Sequence, residues 1–394
     1  MDLHELKCLT STDFDSFSPR VDPEQRYTAS RLDQGGNYLK GCLWAPDGSC
    51  LLTSSNDNVL RLFNTPAELD DPPPSWQPVL SMKEAELIYD YAWYPLMDSA
   101  DSASSWLVSS CRDHPVHAWD AFTGELKASY RNYDQFDAVT ACFSLAFSLD
   151  SRELFCGLDS SLHIFDVTRP GRQYAKRNTW KRGTGCRGCL SAIAAVDHGL
   201  VACGAYNGNA CVMDLRSGQA EHSFRHARGV TDLVCGDDGY TLIVGLRATG
   251  DVLHYDLRNP STRVHCFQRA LTTNQRLHLS LAPNQRYLLS GDQLGNVLAF
   301  DLWANRDDPT ATSASESCAF STTSVNGVAC HPHLDWLAVA TGQRVIGGGR
   351  EVADNSDDDD TSDIDAANSD LDCVANRLML LTRPKPASTG LGIA

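Results

Sequence analysis

Three groups of side chains in this 394-residue chain have types and spacings that could do chemistry. The first is thiol and imidazole. "CRGC" puts Cys186 and Cys189 at the separation of a redox pair or half a zinc site. No second C-x-x-C and no paired histidines follow at ligand distance, so the two read as a loop cysteine and a strand cysteine. His114 and His117 are three apart on an expected strand, which sends them to opposite faces. His331 and His333 of "HPH" fall in a turn and read as structural. The second group would be a nucleophile with its base. No G-x-S-x-G, P-loop or H-E-x-x-H occurs, and no Ser, His and Asp set stands out. A non-catalytic chain without cofactor or metal is therefore expected.

The third group is cationic. "KRGTGCRG", residues 181 to 188, offers Lys181, Arg182 and Arg187 to phosphates, and its three glycines would let backbone N–H groups come close. Tyr206, with Tyr133 and Phe136, could stack on unpaired bases. Arg276 follows Thr273, Asn274 and Gln275, a polar set able to hydrogen-bond base edges. The same residue types also make an ordinary interaction surface.

The elements that must position these groups repeat. An aromatic or apolar residue followed by Asp or Asn closes one short alternating run after another, at Asn64, Asp120, Asp166, Asp214, Asp256 and Asp301. Two such runs precede each pair and one follows, giving four strands per 40 to 50 residues, the period of a propeller blade. The spacing predicts an all-β, seven-bladed WD-repeat β-propeller. Blade seven lacks a strand, and "QRYTASRL", residues 25 to 32, is expected to supply it from the N-terminal side, closing the ring without a free edge. The expected organisation is an acidic tail (1–24), one propeller (25–346 plus 374–384), an acidic disordered insertion (347–373) and a C-terminal tail (385–394).

Net charge is −17, but ten acidic residues and no base occupy 351 to 372, and the first 24 residues are acidic as well. The remaining body is nearly balanced, so bulk charge does not exclude a polyanionic ligand. Meander connectivity puts the second-third turns and the inter-blade loops on one face. That face collects Lys83, Arg112, Lys181, Arg182, Arg187, Arg228, Arg247, Arg269, Arg276 and Arg344, whereas the opposite face is acidic. No run of about eighteen apolar residues and no secretory signal is present, and fifteen cysteines without one point to a reducing compartment. A monomer with no membrane partner is expected.

Several strings are far more specific than the generic repeat: "NYLKGCLWAPDGSCLLTSSNDNVLRLFN", "IYDYAWYPLM", "HAWDAFTGELKASYR", "TTNQRLHLSLAPNQRYLLSG", and "NGVACHP" followed by "LAVATGQRV". With them, nearly all of residues 37 to 346 resembles the telomerase Cajal body protein family of WD-repeat proteins. The resemblance implies a non-enzymatic protein of the nucleus and Cajal body, present also in the cytoplasm. It would bind the CAB-box of small Cajal-body RNAs, H/ACA and C/D types, and telomerase RNA where one exists. Implied protein partners are coilin, the survival-of-motor-neuron complex and H/ACA ribonucleoproteins. The stretch before the first blade is short for the family, and the acidic insertion matches in place and character more than in sequence. On this reading Lys181, Arg182 and Arg187 position phosphates. Arg247, Arg276 and Arg344 line the central end, Tyr206 stacks on a base, and Arg112 and Arg228 share the face. The rival is a WD-repeat scaffold that binds peptides at the same face, makes no RNA contact, and recruits basic segments through its acidic loop.

Overall fold

The computed structural model describes residues 3–17, 36–66, 76–181, 183–304, 314–343 and 376–383. Seven four-stranded antiparallel sheets follow one another in the predicted order. Blade one is Leu39–Trp44, Cys50–Ser55, Val59–Asn64 and Leu80–Lys83. Blade two is Ile88–Trp93, Trp106–Cys111, Val116–Asp120 and Leu126–Tyr130. Second strands are the most deeply buried: Cys50–Ser55 and Trp106–Cys111 are buried at every position, polar Thr53, Ser54, Ser55, Ser109 and Ser110 included, because both faces of a blade are covered by neighbouring blades. The core is accordingly not central. It is seven separate clusters, each held between adjacent blades, such as Leu52, Leu60, Met82, Ile88 and Trp93 between blades one and two.

The closing strand is the main correction to the sequence reading. Lys7–Asp13 pairs antiparallel with Arg377–Thr382 and completes blade seven, whose other strands are Val325–Cys330 and Trp336–Thr341. The acidic tail expected over 1–24 is thus partly sheet, and residues 25–32 lie outside the described residues. "KCLTSTD" escapes an apolar-alternation test because its buried positions are Thr10 and Thr12. A buried threonine suits a strand when its hydroxyl is satisfied, and Thr12 Oγ1 donates to the Trp76 carbonyl. Leu3 enters the cluster between blades six and seven, and Phe14 the cluster between seven and one, so the segment is tied down on both sides. The acidic insertion and the C-terminal tail also fall outside the described residues.

Candidate nucleic-acid interface

The inter-blade face opens into a cavity of about 620 Å³ at the central end. Tyr38 and Lys40 reach it from blade one, Tyr89 from the first strand of blade two, Tyr206 from blade four and Arg247 from blade five. Tyr206 caps the turn between Leu200–Ala205 and Asn209–Asp214 and is 47% exposed, so its ring face is open to solvent. The linker into blade five passes directly against that turn. A side chain at Gly229 would bring its Cβ within 2.3 Å of the Tyr206 carbonyl oxygen, so only glycine fits. The Arg247 guanidinium lies 5.6 Å from the Tyr206 ring centre, a cation and an aromatic face arranged as a platform.

Beneath the platform the charge is already matched. Arg276 sits between Asp90 (3.4 Å) and Asp232 (3.5 Å). Each carboxylate is fixed by a neighbouring blade: Leu145 N donates to Asp90 Oδ2 (2.8 Å) and Leu279 N to Asp232 Oδ2 (2.7 Å). Burial opposes the Arg276 charge, but the two carboxylates outweigh it and raise its pKa. Burial, then Arg276, holds His278 down at about 4, so this ring is neutral at pH 7. Gln275 is committed too, donating from Nε2 to Asn326 Oδ1 (2.7 Å) and the Gly342 carbonyl (2.9 Å). Arg276 and Gln275 therefore serve as a hub joining blades. Among the nearby polar residues, Thr273 and the exposed Asn274 remain turned to the cavity.

The predicted cations separate into two places. Arg187 and Arg228 are exposed beside the Tyr206 turn: the Arg187 carbonyl accepts from Asn207 Nδ2 (2.6 Å), and Arg228 precedes Gly229. Arg112 is exposed at the rim, its N–H donating to the carbonyl of the cavity residue Leu87 (3.0 Å) and its Nε 3.6 Å from Asp113. Tyr89, whose hydroxyl pKa burial raises, feels Arg112 as an opposing charge. Lys181 is elsewhere. It belongs to a small hairpin (Trp180–Lys181 with Thr184–Gly185), and its Nζ donates to the Gly218 carbonyl (2.8 Å). There it joins Lys176, Arg177 and Arg216 around a groove of about 390 Å³ on the outer flank of blades three and four. Arg182 and Arg344 lie outside the described residues.

Other expectations are corrected by the same geometry. The glycine-rich loop is no phosphate cradle, because Gly185 N donates to Ser223 Oγ (3.0 Å) and Gly188 N to Ser160 Oγ (2.8 Å). Gly185 is required by a turn instead: its φ is +98°, and a Cβ would meet the Thr179 carbonyl oxygen at 2.1 Å. Tyr133 stacks under Arg172 (4.4 Å) outside the cavity lining, and Arg269 is buried against Leu277 O and Ser290 Oγ. His114 and His117 do not diverge. His114 precedes the strand in a turn, and the two ring centres are 6.5 Å apart. The cysteine reading needs no correction: the fourteen cysteines among the described residues are free thiols, and Cys186 stands in a loop, buried between blades three and four. Sequence reasoning missed Tyr89, Tyr38 and Lys40. Tyr89 carried a usable signal, a tyrosine next to the polar Asp90 within an innermost strand.

Residues 32–64 match the WD domain, G-beta repeat. The chain is 40% identical to mouse telomerase Cajal body protein 1 over 317 residues, 79% of this chain and 60% of that protein. It is 38% identical to the Bos taurus protein of the same name over 340 residues, 83% of the chain and 62% of the relative. The human protein is 39% identical over 335 residues, 82% and 60%. The propeller belongs to the telomerase Cajal body protein family. The chain spans about three fifths of the length of the curated relatives it matches.

Proposed function

We propose that this propeller is a non-catalytic RNA-binding module of the nucleus and Cajal body. It takes the CAB-box loop of small Cajal-body RNAs, H/ACA and C/D, into the central cavity and delivers the ribonucleoprotein to Cajal bodies, with passage through the cytoplasm. Telomerase RNA, where present, is a ligand of the same kind, and coilin, the survival-of-motor-neuron complex and H/ACA ribonucleoproteins are the protein partners. The observation that carries this reading is the Tyr206–Arg247 platform at the mouth of a tyrosine-lined cavity of about 620 Å³. Single-stranded loops are recognised by bases splayed onto aromatic rings and arginine planes, and a mobile phosphate backbone is held by rim cations. Exposed Arg112, Arg187 and Arg228 would take that second task. Arg276 supports the cavity from below and leaves phosphate binding to the rim.

Filter binding of the purified chain to a CAB-box hairpin and to a hairpin with that box mutated tests the reading. The expected result is tighter binding to the intact box that persists as salt is raised. Equal, weak and fully salt-erased binding to both would favour the peptide scaffold.

A further inference from the structure

Glu84 lies in the connection between Leu80–Lys83 and Ile88–Trp93, and its carboxylate is buried. One oxygen, Oε1, accepts from Ser109 Oγ and from Trp119 Nε1 (3.2 Å). The other, Oε2, faces two more side chains, Cys111 Sγ at 3.3 Å and His117 Nδ1 at 2.9 Å. Carboxylate oxygen, thiol sulfur and imidazole nitrogen all lie within 4.8 Å of one another, and none of the three residues lines the cavity. Blade three closes the corresponding place more simply, with Asn132 Oδ1 2.9 Å from His163 Nδ1. A hydrogen-bonded seam needs only that one pair. Blade two instead aims an acid, a thiol and an imidazole at a single point.

We propose that Glu84, Cys111 and His117 form a binding site for a zinc-type divalent cation. The mixed O, S and N donor set suits a borderline-soft metal that takes four ligands. Glu84 would bind through Oε2 while Ser109 and Trp119 hold Oε1, the hydrogen-bonded outer shell that orients a carboxylate ligand. The His117 side chain is 16% exposed, which gives a cation entry and leaves room for water as the fourth ligand. Without metal, the Cys111 thiol donates to Glu84 Oε2 (3.3 Å). Binding breaks that S–H bond. One proton leaves to solvent, and metal–sulfur, metal–nitrogen and metal–oxygen bonds form with no change of oxidation state. His117 coordinates through Nδ1. The hydrogen that Nδ1 shares with Glu84 Oε2 (2.9 Å) in the metal-free protein is given up to solvent as Nε2 takes one from it, a tautomer exchange that adds no net proton to the one released by the thiol. The cation fastens the connection that leads into Leu87 and Tyr89, at the cavity wall. The site itself does not depend on the RNA reading.

Cobalt(II) titration of the full chain, after chelator treatment, tests this. The expected result is one equivalent bound with a thiolate-to-cobalt charge-transfer band that zinc(II) abolishes, and with proton release. Cys111→Ser and the near-isosteric Glu84→Gln should each lose the band while keeping the wild-type circular dichroism. Ser109→Ala should keep the band and bind about tenfold to a hundredfold more weakly. Absence of the band in the folded wild-type chain would overturn the site. So would a band retained in Cys111→Ser, which would put the cation on another thiol. Should Cys111→Ser not fold, the wild-type spectrum and Glu84→Gln carry the same test.

Discussion

The central cavity and the outer groove both gather positive charge, yet they are built in opposite ways. In the cavity, Arg276 is matched by Asp90 and Asp232, Lys40 and Arg247 share the lining with tyrosines, and Arg112, Arg187 and Arg228 are exposed around it. In the groove, Lys176, Arg177, Lys181 and Arg216 gather with no aromatic residue in the lining. Arg177 Nε donates to the Leu215 carbonyl (2.9 Å) and Lys181 Nζ to the Gly218 carbonyl (2.8 Å), so these side chains are oriented by backbone. The lesson is that cation density alone does not mark a reading site. A groove of fixed cations attracts any polyanion, whereas stacking faces over a matched centre can discriminate among loops.

The largest expected effect comes from buried imidazoles. Burial is the first cause holding His163, His226 and His278 at about 4, so the native fold leaves them neutral where the unfolded chain protonates them near 6.5. The unfolded state then binds more protons, and stability falls as pH drops from about 6.5 toward 4. The loss is about 2 kcal/mol per histidine by pH 5. Urea midpoints at pH 7 and pH 5 measure it, and His278→Asn should recover one histidine's share. A flat profile would mean that none of the three rings is sealed from water, His278 at the cavity floor included.

Next, Arg276→Met leaves Asp90 and Asp232 facing each other and should cost about 3 kcal/mol or more in urea unfolding. Arg216→Met in the groove should stay within about 0.5 kcal/mol. Equal costs would erase the distinction between hub and surface. Smaller still, Tyr206→Ala should weaken CAB-box hairpin binding by about 1–3 kcal/mol with an unchanged salt slope, and Tyr206→Phe should bind as wild type. Last, Lys181→Ala with Arg216→Ala should lower the salt slope by about one per lost phosphate contact, equally for intact and mutated boxes. A selective loss for the intact box would move reading to the groove.

The repeat, the seven blades and the inter-blade placement of Tyr206 and Arg247 were legible in the sequence because strand alternation and turn spacing carry them. Three things were not. The closing strand hides behind Thr10 and Thr12, polar residues whose burial depends on a partner strand more than 360 positions away. Arg276 looked free because Asp90 and Asp232 come from other blades. Connectivity keeps an inter-blade loop on its own face, and by that rule Lys181 belongs there, whereas the Trp180–Lys181 hairpin folds down the flank toward Gly218. Each miss is a long-range contact that composition does not encode.

The most direct test is photocrosslinking of a CAB-box hairpin carrying 4-thiouridine in its loop, with the attached peptides mapped by mass spectrometry. Adducts are expected at the segments around Tyr206 and Tyr89. Adducts confined to the groove segments around Lys176 and Arg216 would contradict binding at the central cavity.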